Sequence, residues 1–276
     1  MLHNASEFPR FDDCFPELNR FILDLVADYE TGNIGTWDDL DGQVKAYFTP
    51  ERMEHVETLV PGWQKMASYT DGITLVHVMC VFLGMFMLPE FKSLTPTQQQ
   101  MAKWIILCHD IDKVHIPGKK DPMHAFRSGA HAGKIFPGFG FPSRPRFEER
   151  IDWWSEYTRG AFTQSDPAAA PKPDNRKLPY ILIGIDNLFG QNTPAALITK
   201  TVLLHISPNV DPNYPTPAPL TDAEIKRYIH SSLLPLLRVM MLSDNEGWSL
   251  FDLETRAQQR RDTLTAFERF AQIISA

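Results

Sequence analysis

The chain has 276 residues, 43% hydrophobic and 22% charged, with a net charge of −7 and a pI near 5.7. That balance suits one large globular domain, or a core with insertions, and excludes a disordered or fibrous chain. The acidic surplus argues against broad binding to nucleic acid or an anionic membrane and leaves room for a local basic pocket.

At the N-terminus, Met1-Leu2-His3-Asn4-Ala5-Ser6-Glu7 has neither a basic start nor an apolar core, so no signal peptide is expected. Residues 16 to 30 predict an amphipathic helix, with Leu18, Phe21, Ile22, Leu25 and Val26 at helical spacing. Gly32, Gly35 and the polar Trp37-Asp38-Asp39 stretch break it. A second helical segment covers about 38 to 48. Pro50 lies ahead of a third, from Glu51 to Leu59, which Pro61-Gly62 ends. We read residues 1–69 as helices that cover a core, with His55 on the surface.

Asp71 is placed to cap the next helix, which carries His77. The apolar run from Ile73 to Leu88 is shorter than about 18 residues and contains that histidine, so it reads as a buried helix, not a membrane span. Thr95, Pro96 and Gln98 supply a capping box and a first-turn proline for a helix over about 96 to 110. Its apolar run, Trp104 to Cys108, ends in His109-Asp110, followed by Lys113. Burying an imidazole and a carboxylate there is costly unless they are paired or bind a metal. Together they make half a site for a divalent cation. Cys14, Cys80 and Cys108 are an odd number without framework spacing, which fits packed thiols in a reducing compartment and a cytoplasmic protein.

Beyond Lys113 the chain turns polar. His115, Lys119 and Lys120 read as loop residues. His124 opens a helix of small residues, and His131, seven further on, shares its face. Residues 137 to 192 read as a loop-rich insertion. It holds an aromatic helix around Phe147 to Tyr157, in which Trp153 and Trp154 pack it down, and a proline–alanine loop at Pro167 to Pro173. Ile181 to Phe189 fits a helix or a strand. Thr193-Pro194 starts a helix that ends at His205, and a proline-rich loop with Asp211 follows. Thr221-Asp222-Ala223-Glu224 opens a long helix, kinked at Pro235 and closed by Asp244. Leu253 to Ile274 is a last amphipathic helix on the outside. The chain shows no internal repeat, P-loop, Gly-x-Gly-x-x-Gly or Cys-x-x-Cys.

The order His77, then His109-Asp110, then His124, then a late Asp244 resembles the HD-domain superfamily of metal-dependent phosphohydrolases, over residues 70 to 250. The resemblance implies an all-α fold: an HD-domain-like helical bundle with N-terminal covering helices (1–69), the insertion, and a C-terminal helix (251–276), in one domain. It makes His77, His109, Asp110 and Asp244 the primary metal ligands. In two-metal members further histidines join, and His124 and His205 fit those places, with Asp110 as the bridge. His124 matches the motif better than His131. Asp112 stands where many members carry Gly. The Gly-Tyr-Pro signature of the cyclic-dinucleotide branch is absent.

The implied cofactor is one or two ions of Mn, Fe, Co, Ni or Zn. Such a cation would acidify a water for attack at phosphorus. Asp110 and Lys113 are the expected catalytic residues, and Arg127 the expected binder of substrate phosphate, with a plain salt bridge as the alternative for both cations. The expected activity is a phosphomonoesterase or phosphodiesterase acting on a nucleotide or small phosphorylated metabolite. A di-iron oxygenase and a non-catalytic ligand-binding domain are the alternatives.

Overall fold

The computed structural model describes residues 8–68, 72–114, 121, 123–161, 175–208 and 219–276. Every regular element among them is helical. No helix among the described residues is long and apolar enough to cross a membrane.

The N-terminal cover comprises α1 (Phe11–Cys14), α2 (Pro16–Glu30), α3 (Trp37–Tyr47), α4 (Pro50–Leu59) and α5 (Trp63–Ala67). Helix α2 buries Leu18, Ile22 and Leu25, the stripe that a 3.6-residue period puts on one face. Helix α3 starts at a reciprocal capping box between Thr36 and Asp39. His55 is exposed. Pro61-Gly62 ends α4 but not the helical region. Gly62, in the left-handed region at φ 98°, leads directly into α5, whose Trp63 and Met66 are fully buried.

The core follows. Helix α6 (Ile73–Met87) is buried from Thr74 to Met85 and begins at Gly72; Asp71, expected to cap it, lies outside the described residues. After α7 (Pro89–Lys92) comes α8 (Pro96–Cys108), with the Thr95–Gln98 capping box formed. Helix α9 (His124–Ile135) is followed by the segment read as an insertion from the sequence, which holds α10 (Ile151–Ala161) and α11 (Leu178–Phe189). The Ile181 to Phe189 run is therefore helix. Helix α12 (Pro194–Leu204) is capped by Thr193. His115, Lys119 and Lys120, the loop Pro167 to Pro173, and Asp211 all lie outside the described residues.

The C-terminal part differs from the expectation. One kinked helix is replaced by two, α13 (Asp222–Tyr228) and α14 (Leu234–Trp248), with a break at 229–233. Proline has no N–H and collides with the carbonyl four residues back, so Pro235 is accommodated in a first turn and not in a helix interior. Asp244 does not close its helix either. Helix α14 runs one more turn, to Trp248. Helix α15 (Leu253–Ser275) completes the chain.

Helices α6, α8, α9, α12 and α14 form the central group. Helix α14 lies along α6, α12 lies along α9, and α8 touches all four. Two glycines set the close approaches. A Cβ on Gly247 would sit 2.7 Å from Val81 Cγ2 and 3.1 Å from the Val81 backbone nitrogen, so α14 comes against α6 only because residue 247 has no side chain. A Cβ on Gly129 would lie 2.6 Å from Leu203 Cβ, which gives α9 and α12 the same arrangement. Helices α10 and α11 pack on α9 and α12 respectively and are joined by Trp154, whose indole donates to the Ile181 carbonyl at 3.1 Å. Trp153 does not pack inward. It is 65% exposed and stacks on Tyr157.

Candidate metal centre

All five central helices converge on one buried cluster. His77 stands one turn into α6, His109 caps the C-terminus of α8 with Asp110 next to it, His124 opens α9, His205 caps α12, and Asp244 projects from the last turns of α14. The two close helix pairs each bring one pair of residues together: His77 with Asp244, and His124 with His205.

The side chains divide into two groups of three. His77, His109 and Asp244 have ligand atoms within 4.8 Å of one another, and so do Asp110, His124 and His205; each group could hold a metal ion. His77 Nε2 is 3.0 Å from Asp244 Oδ1, and His124 Nε2 is 3.2 Å from His205 Nε2. Asp110 connects the groups. Its Oδ1 is 3.2 Å from His124 Nε2, while its Oδ2 is 3.6 Å from His109 Nε2 and 3.9 Å from His77 Nε2.

Three of the four histidines are oriented in one way. His109 Nδ1 donates to the Ile106 carbonyl at 2.7 Å, His205 Nδ1 to the Val202 carbonyl at 2.7 Å, and His124 Nδ1 to the Asp121 carbonyl at 2.6 Å. A carbonyl only accepts, so each of these nitrogens carries the proton and the Nε2 lone pair points into the cluster. The cost of this arrangement is visible at His109 Nε2 and Asp110 Oδ1, which are buried without a hydrogen-bond partner among the described residues. A cation would satisfy both, and imidazole nitrogen with carboxylate oxygen is a donor set suited to a divalent transition metal. His77 is different. Its Nε2 donates to Asp244, and its Nδ1 has no partner among the described residues, so a cation would have to displace the Nε2 proton.

Burial favours the uncharged imidazoles. It lowers His77 and His124, and it pushes His205 down to about 3, with His124 adding to the effect. Burial works the other way on the two carboxyls, but their neighbours prevail. Lys113 and the surrounding histidines hold Asp110 well below the usual carboxylate range, and the hydrogen bond from His77 does the same for Asp244. The centre thus carries two carboxylates at neutral pH.

Lys113 Nζ lies 2.6 Å from Asp110 Oδ2, one helical turn on in sequence. Burial works against its charge, and the Asp110 carboxylate more than restores it. Arg127 is buried, and its guanidinium is engaged with the Asp121 carboxylate and the Asp112 carbonyl. Its placement matches the salt-bridge alternative and not a free phosphate binder. His131 points away from the cluster, with Nε2 2.5 Å from the Pro61 carbonyl. Asp112 needs no glycine's freedom, because Asn192 is the only non-glycine residue with positive φ among those described. Its carboxylate pairs with Arg159 at 2.9 Å. Cys108 is a packed thiol, pushed up to about 12 by burial.

Two contributors carry no motif. Trp248 stacks on the His77 ring at 4.0 Å between centroids, with Lys113 Nζ 5.7 Å from its own ring centre, and is 54% exposed at the edge of the cluster. Its position four residues after Asp244, on the same helix face, is the sequence signal that could have found it. Asp121, three residues before His124, is the other. No protein-family model, curated protein or solved structure matches this chain.

Proposed function

We propose that the chain is a metal-dependent phosphoric ester hydrolase of the HD-domain type, acting on a nucleotide or a small phosphorylated metabolite. The observation that carries this reading is the Asp110 carboxylate shared between two ligand groups, with the Nε2 atoms of three histidines fixed inward. His77, His109 and Asp244 would hold one divalent cation and His124 and His205 a second, with Asp110 common to both. Bound there, such cations lower the pKa of a coordinated water and neutralise phosphoryl charge.

The chain's own residues define the rest. Two carboxylates against one lysine leave the protein part of the centre slightly acidic, so two divalent cations would turn it strongly positive. An anionic group is what such a centre attracts. Lys113 keeps its proton beside Asp110 and is a quarter exposed, which lets it meet an incoming phosphoryl oxygen. Trp248 offers an apolar surface beside it.

The test is elemental analysis of the purified protein and of His109→Ala, followed by a panel of phosphate esters. One or two equivalents of Mn, Co, Ni or Zn, lowered in the variant, together with ester hydrolysis that chelator abolishes, are expected. Iron with oxygen-dependent turnover would replace this reading by a di-iron oxygenase. Absence of metal even after reconstitution would leave a helical binding module.

A further inference from the structure

We propose that the buried Arg127–Asp121 ion pair is a positioning device for the second ligand group, holding the His124 imidazole and the turn that carries Asp110 in one fixed relation. The inference rests on the metal-centre reading above and gives Arg127 a different task from substrate binding.

Asp121 acts at both of its ends. Its backbone carbonyl accepts from His124 Nδ1 at 2.6 Å and so sets the direction of His124 Nε2. Its carboxylate accepts from the Val114 backbone nitrogen at 2.7 Å, next to Lys113, and from the Met123 nitrogen at 3.3 Å. That carboxylate is 3% exposed and would be costly to bury alone; the Arg127 guanidinium, 10% exposed, neutralises it. Arg127 also donates from Nε and Nη2 to the Asp112 carbonyl, at 3.4 and 3.3 Å. Beside it, Ser128 Oγ accepts from the Asp112 nitrogen at 3.1 Å. Asp121 therefore grips the 110–114 turn at Val114, and the start of α9 grips it at Asp112 while it presents His124. Asp110, which lies on that turn, and His124 are thereby held 3.2 Å apart. A planar guanidinium can bind a carboxylate and a carbonyl together, which an ammonium cannot do in the same geometry.

Hydrogen bonds to the far nitrogen of a ligating histidine typically tune metal affinity by roughly 10- to 100-fold. The experiment is Mn²⁺ binding by equilibrium dialysis, with electron paramagnetic resonance to separate a coupled ion pair from isolated ions. The proteins are the unaltered chain, Arg127→Lys, and the double variant Arg127→Met with Asp121→Asn, which leaves no unpaired buried charge. The unaltered chain is expected to bind two ions with a coupled signal. The double variant should bind the ion at His124 and His205 about 10- to 100-fold more weakly, lose markedly less affinity at the other ion, and show the isolated signal at one equivalent. Arg127→Lys should fall between the two, with helicity by circular dichroism unchanged in all three. Two ions bound with unaltered affinities in the double variant, or both affinities reduced alike, would overturn the positioning role while leaving the metal centre intact. No Mn²⁺ bound by the unaltered chain would overturn the metal centre itself, and the inference with it.

Discussion

His205 shows how one buried side chain ties the candidate site to the stability of the fold. In the unfolded chain an imidazole takes up a proton near pH 6.5, whereas in the folded chain burial delays this to about 3. Between those values the unfolded state binds more protons, so stability falls as the pH is lowered through that window and is flat above it. His77 and His124 are shifted in the same direction. The two carboxyls, held below their ordinary range, begin to cost stability only at still lower pH. For metal-free protein in chelator, the urea-unfolding free energy should drop between pH 7 and pH 5, with His205 contributing up to roughly 2 kcal/mol. In His205→Gln the drop should be smaller by about that amount. Equal pH slopes in the two proteins would show that His205 is not held neutral by burial.

At the scale of elements, the site depends on two helix contacts that small residues make possible. Gly129→Ala would drive a methyl group into the Leu203 backbone of α12, and Gly247→Ala would do the same against Val81 of α6. Overpacking of this kind costs roughly 1–3 kcal/mol. Gly129→Ala should weaken metal retention by the His124–His205–Asp110 group first, and Gly247→Ala retention by the His77–His109–Asp244 group. Gly42, on the cover helix α3 with nothing near its missing side chain, is the control. Its alanine variant should be neutral or more stable by up to about 1 kcal/mol. Denaturation midpoints and metal equivalents measured on the three variants would decide this. A destabilisation without a difference between the two groups would mean that the helix pairs do not set the ligand geometry separately.

At the scale of the molecule, one hydrophobic core of the described residues runs from Phe11 to Phe270 and encloses the polar cluster. The C-terminal helix is held to that core by charge as well as by apolar contact. Arg256 and Arg260 of α15 bind Glu246, which is 3% exposed, and Arg260 also holds Glu90 through both carboxylate oxygens. Glu246 lies two residues beyond Asp244, so the same network steadies the end of α14. Because the cluster draws residues from both ends of the core, a metal that binds only the folded state should stabilise the entire chain. At a free concentration about 100 times its dissociation constant, one ion adds roughly 2.7 kcal/mol. For a domain of this size that is a rise in melting temperature of roughly 5–10 °C. Thermal melts with and without chelator, repeated on His109→Ala, should show the shift in the unaltered chain and a reduced one in the variant. An unchanged melting temperature on metal addition would sink the centre as a binding site.

The sequence by itself determined the local elements and the identity of the cluster. The periodic apolar positions of α2, the continuous apolar run of α6 and the capping boxes at Thr95 and Thr221 are short-range signals, and the helices form where those signals lie. The six residues of the cluster were expected from the order of histidines and aspartates along the chain, as the resemblance to HD-domain proteins implies, while the cost of burying a polar pair singled out His109 and Asp110 alone. Only the tertiary structure decided the partners. Arg127 looks like a free cation until Asp121 and the Asp112 carbonyl are seen around it. Trp248 looks like any aromatic residue until α14 lies against α6 and sets it on His77. The single helix expected through Pro235 separates into α13 and α14, because a proline belongs at a helix start. Helix formation depends on residues three and four apart, whereas these pairings join residues separated by up to 171 positions, and chain periodicity does not encode which of them will meet.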